Sequence, residues 1–154
     1  MKNFLKFVSV FCVLAASLIF ASSSCAAVTI TIQNNRDHNL SFAFCWAGFD
    51  KPDDRRIGWY NVKAGESKTF TFKDAQYALT AQDFGYYAMG GGKVWTGKAD
   101  DERPLPVIIH PKQAFKGSPE DSIDGGRKVY FRHIKLKETS DDKVNGSATL
   151  TFNP

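Results

Sequence analysis

Every second residue of Val28-Thr29-Ile30-Thr31-Ile32 is apolar. The same alternation returns in Leu40-Ser41-Phe42-Ala43-Phe44-Cys45-Trp46 and in Thr69-Phe70-Thr71-Phe72. A side-chain period of two belongs to a β-strand with one buried face, and it cannot place one apolar stripe on a helix. Residues 57–62, 77–83, 93–96, 107–109, 128–137 and 148–152 extend the strand pattern, with turn residues between the runs. Beyond the first 27 residues no stretch carries a helical period, and Lys112-Gln113-Ala114-Phe115 is the place for a short helical turn. Many short strands joined by Gly- and Asn-rich turns predict an all-β fold, an antiparallel sandwich or barrel with short helical turns at most. Phe42, Phe44, Trp46, Phe70, Phe72, Leu150 and Phe152 are the expected core.

The connections add detail. Asn34-Asn35-Arg36-Asp37-His38-Asn39 is turn chemistry and predicts a hairpin between the first two strands. Gly65 supplies a turn before the fourth strand, and Asn145-Gly146 predicts a hairpin before the last. Residues 77–83 and 93–96 are expected to pair around Gly90-Gly91-Gly92. In the long run 128–137, Val129 and Phe131 set one phase, and Ile134 and Leu136 set the other. A bulge near Arg132-His133, or a buried face that switches partway, accounts for that.

The start of the chain reads as a secretory signal: Lys2 and Lys6, an apolar run from residue 7 to 21, then Ser22-Ser23-Ser24-Cys25-Ala26-Ala27. The run is short for a membrane span. Cleavage is expected after Ala26 or Ala27, which divides the chain into a signal peptide, 1–26, and a single β domain, 27–154. An uncleaved anchor is one alternative. Lipid attachment at Cys25 is another, although the serines before it make a poor lipobox; once the signal is cleaved, only that lipidation would tie the protein to a membrane. The expected location is outside the cytoplasm, periplasmic or extracellular.

Removing Lys2 and Lys6 lowers the formal net charge from +4 to about +2. Arg127, Lys128, Arg132, Lys135 and Lys137 form the one local basic cluster, and because the charges are mixed in sign along the chain they read as solvated strand faces. Without a concentrated basic face, nucleic acid is not an expected partner. After cleavage Cys45 is the remaining cysteine of three, so no internal disulfide is available and apolar packing must hold the fold. Cys45, mid-strand among apolar neighbours, reads as a buried packing thiol.

Gly58-Trp59-Tyr60, Val62 and Ala64-Gly65-Glu66 resemble the core of an uncharacterised bacterial family, domain of unknown function 1036. Ile32-Gln33-Asn34-Asn35 upstream, and Gly85-Tyr86-Tyr87-Ala88 with Trp95 downstream, follow in the expected order. The resemblance covers residues 30–97. It implies a small exported or envelope β domain and brings no activity, substrate or catalytic residue. Cysteines that family members often carry are replaced here by Gln33 and by the Glu66-Ser67 region, and Ala64 stands at the family's proline, so a family disulfide does not carry over.

Local catalytic signatures are missing from the sequence. There is no G-x-S-x-G elbow. Gly92-Lys93 lacks the P-loop's upstream glycine and following hydroxyl; Tyr87 and Val94 stand there. His38, His110 and His133 have no metal-ligand spacing, and the acidic loop from Glu120 has Phe131 where a calcium loop needs a glutamate. No cofactor or metal is expected.

What remains is Asp83 to Gly97, with Tyr86, Tyr87, Lys93 and Trp95 around the glycine triplet as candidate ligand-binding residues. Phe84 and Tyr86 should share one strand face and Tyr87 the other. The structural reading is a hairpin corner with cross-strand aromatic pairs. The functional reading has Tyr87 or Trp95 showing its ring to solvent and binding a sugar or a protein surface. The sequence thus predicts an exported, non-catalytic binding domain, with a glycan or an envelope protein as partner. The alternatives are a secreted or periplasmic enzyme with a site assembled from distant loops, such as a glycan hydrolase, and a structural envelope component.

Overall fold

A computed structural model describes residues 27–46, 55–73, 75, 84–139 and 145–154. The chain is all-β, with no helix among these residues. Eleven strands form: β1 (Ala27–Asn34), β2 (Leu40–Trp46), β3 (Arg55–Val62), β4 (Ser67–Lys73), β5 (Phe84–Gly90), β6 (Lys93–Trp95), β7 (Leu105–Ile109), β8 (Phe115–Gly117), β9 (Arg127–His133), β10 (Lys137–Glu138) and β11 (Gly146–Phe152). One sheet has the order β10-β11-β1-β4. The other has the order β7-β9-β5-β2-β3-β8, with β6 added to β5.

The two sheets pack face to face. Val28, Ile30 and Ile32 of β1 are fully buried against Phe42, Phe44 and Trp46 of β2, with Phe70, Phe72 and Phe152 completing the layer and Leu150 packed on its margin. The expected core is therefore observed. Phe44 lies at its centre, with ring centroids of Phe42, Tyr60, Phe70, Phe72 and Phe84 between 4.9 and 6.2 Å away. The outer face of the smaller sheet carries threonines; Thr31 and Thr69 hydroxyls meet at 3.0 Å, and Thr151 donates to Gln33 at 2.9 Å.

The expected β1–β2 hairpin is not formed. The two strands lie in different sheets, and β1 pairs instead with β4, antiparallel, and with β11, parallel. Alternation says that each strand has one apolar face. It does not say whether the two faces lie side by side in one sheet or meet across a sandwich. The turn is tied by Asn34, fully buried, whose side-chain amide donates to the carbonyls of His38, Val62 and Lys63 while its oxygen accepts from the Arg36 amide.

The second sheet curls, so its other face encloses a second core of Ala43, Cys45, Tyr87, Val107, Ile109, Phe115 and Phe131. Both faces of β2 and β5 are consequently buried. Arg56, 1% exposed, braces the curl: its Nη1 donates to Ile108 O at 2.7 Å and Pro119 O at 3.0 Å. A register shift at Phe42/Ala43 against β3 lets Ile57 and Tyr60 face the first core and Trp59 the second.

Four further expectations change. β9 ends at His133. The chain then crosses to the first core at Ile134, whose amide donates to Phe84 O at 2.8 Å, so the phase change marks a passage between sheets. β6 pairs with the end of β5, Ala88↔Trp95 to Gly90↔Lys93, rather than with residues 77–83, which lie outside the described residues. Residues 112–115 form no helical turn; His110 Nδ1 accepts from the amides of Lys112 and Gln113 and bends the chain into β8. β10 and β11 do make an antiparallel pair, but Asn145 sits beside β11, accepting from Thr139 N, rather than at the centre of a two-residue turn.

Candidate functional site

The glycine triplet is a sheet corner. Gly91 and Gly92 have φ of 56° and 73°, the left-handed backbone that a two-residue hairpin loop requires. A Cβ on Gly91 would also collide with the His38 ring. Of the four candidate residues, the fold brings two together. Tyr86 is buried on the first-core face, and Trp95 is half-buried beside it; both line one cleft. Lys93 is exposed on the hairpin and does not line that cleft. Tyr87 faces the second core and is 3% exposed, with its ring 5.9 Å from Trp59 and 6.0 Å from Phe131 and its hydroxyl accepting from Arg127 at 3.3 Å. The expectation of a solvent-facing Tyr87 ring is thus corrected: the curl of the sheet covers the face on which it lies.

The cleft has a volume of about 770 Å³ and runs between β11 and the wall made by β5, β6 and the crossing after β9. Arg132, Lys135 and Lys137 contribute cations, and no lining residue is acidic. Tyr86 and Arg132 are register partners in β5 and β9. Burial raises the Tyr86 phenol above its ordinary pKa, and Arg132 opposes this through its charge and a hydrogen bond. His133 is fixed by its Nε2, which donates to Arg103 O at 2.6 Å, leaving a buried Nδ1 without a partner.

Trp95 is held from two sides. The Arg36 guanidinium lies 5.4 Å from its ring centroid, and Phe152 meets it edge-to-face at 5.1 Å. Arg36 is itself buried and donates to Asn153 O at 2.7 Å. The indole is therefore a wall of the cleft with one side already engaged by a cation, a poor open platform for a sugar ring.

The remaining wall is backbone. β10 pairs only with Gly146 and Ser147 of β11, and β11 pairs with β1 along its other side. Beyond Ser147, β11 has no strand partner on the β10 side among the described residues. Phe152 O accepts from Asn35 on the β1 side, and Asn145 O accepts from Thr139 on the β10 side. Backbone groups alternate along a strand, so the amides and carbonyls of Thr149 and Thr151 point to the open side. The basic cluster was visible in the sequence but reads there as solvated strand faces. The open edge has no sequence signal, because β10 is two residues long and follows a crossing.

No group of His, Cys, Asp and Glu able to hold a metal occurs among the described residues. Comparison of the chain with protein-family models, with curated proteins and with solved structures finds no match.

Proposed function

We propose that the protein is an exported, non-catalytic binding domain of the cell envelope or exterior, and that the cleft beside β11 is its binding site; the resemblance to domain of unknown function 1036 implies the exported or envelope setting and no activity. The observation that supports this reading is a concave, cation-lined wall that joins Tyr86, Trp95, Arg132, Lys135 and Lys137. Convergent polar groups around an open concavity suit recognition. The cleft lining holds no carboxylate, so the paired-carboxylate chemistry of a glycan hydrolase has no residues there.

Export has its own test. N-terminal sequencing of protein from the native host is expected to start near Ala27 or Val28, and a mature chain that keeps Met1 contradicts it. The binding site is tested by screening the purified protein against a glycan array and a displayed peptide library, with Lys135→Glu in parallel. Ligands retained by the native protein and lost by a folded Lys135→Glu variant support the reading. No ligand in either screen, or ligands indifferent to the substitution, contradicts it.

A further inference from the structure

We infer that the cleft recognises an acidic, extended peptide segment, which adds as a strand to the open edge of β11; this rests on the cleft being a binding site. The edge offers five residues, 148–152, to a partner strand, a span of about 16 Å at 3.3 Å per residue. Thr149 and Thr151 present their amides and carbonyls along it. Main-chain pairing with an exposed edge is an established way for a fold to capture an extended segment.

Charge selects the occupant. Arg132, Lys135 and Lys137 line the cleft with no acidic residue among its lining. An antiparallel addition continues the line of β10, because Lys137 sits opposite Ser147 and the next position belongs to the incoming strand. That direction brings the C-terminal end of the peptide against Lys135 and Lys137, so acidic residues and the terminal carboxylate belong there. A second copy of this chain fits poorly. β4, the opposite edge of the same sheet, carries Lys68 and Lys73 and no acidic residue, so two such edges would oppose like charges. A glycan is less favoured because Arg36 already lies over the Trp95 ring.

The test is selection of phage-displayed heptapeptides on the purified protein, followed by fluorescence polarisation with synthetic copies. The selected pool is expected to be enriched in Asp and Glu toward the C-terminal end. Affinity should fall about tenfold or more with Lys135→Glu/Lys137→Glu, and the loss should shrink as salt rises. N-methylation of alternate peptide amides should abolish binding, since it removes the edge hydrogen bonds without touching the protein. Thr149→Pro should do the same from the protein side, because a proline is tolerated where the amide faces away from the sheet. A pool without acidic enrichment, or affinity unmoved by N-methylation, overturns the inference. Binding of a carboxylated sugar such as oligogalacturonate in place of peptides, lost with Arg132→Glu, overturns strand addition while the cleft survives as a site. If neither class binds, both readings fall.

Discussion

At the scale of single residues, the architecture is decided by rings that the alternation pattern points inward. Phe44 touches five other aromatic rings and is fully buried, so Phe44→Ala leaves a cavity in the middle of the first core. The expected loss is about 3–5 kcal/mol in denaturant unfolding, and a loss below about 1 kcal/mol would show that the ring is not enclosed. Tyr86 and Tyr60 supply a pH signature. Burial raises both phenols above 10.0, so the folded state resists their ionisation while the unfolded chain does not. The stability tied to this is complete below pH 10 and is lost as pH rises through the folded values. Ultraviolet titration should show tyrosines ionising late, with Tyr86→Phe removing one; if all five tyrosines titrate together near 10, the packing around Tyr86 is misread. The inward-facing residues of β1, β2, β4 and β11 were legible because each of these strands keeps its period. The side on which Tyr87 would be covered was not, since that depends on how far the sheet curls.

At the scale of elements, the sequence marks strands better than their neighbours. The alternation in β1 and β2 places both, yet the Asn-rich link between them crosses from one sheet to the other, and Asn34 is buried to hold it there. The phase change after Phe131 is legible as a switch of face; its physical meaning, a crossing pinned by the Ile134 amide, needs the partner strand. The glycine triplet turns a hairpin as expected, although β6 pairs with β5 in place of residues 77–83, and glycines at turns answer two separate demands. Gly65 and Gly91 both have positive φ, but a Cβ on Gly65 meets open space while one on Gly91 meets His38. Gly65→Ala should therefore cost about 1–2 kcal/mol, the backbone penalty alone. Gly91→Ala should cost more, because the ring must also move. Equal losses in thermal unfolding would show that His38 does not pack on this corner.

At the scale of the whole molecule, a four-stranded sheet covers one face of a curled sheet, and the curl encloses a second core around Cys45 and Tyr87. The crossing after β9 ties the two sheets at one end of the cleft and leaves β10 too short to cover β11. Tyr86 and Trp95 were legible as site candidates from the density of aromatics around the triplet. Arg132, Lys135 and Lys137 join them only because the chain turns from one sheet to the other between those positions. The open edge of β11 is the feature on which strand addition depends, and it can be examined without any ligand. Amide hydrogen exchange resolved by residue is the direct measurement. Ala148, Leu150 and Phe152, whose amides face β1, should be strongly protected, whereas Thr149 and Thr151 should exchange quickly, as unpaired edge amides do. Protection of Thr149 and Thr151 equal to that of their neighbours would mean that the edge is closed, and would contradict the strand addition proposed for it.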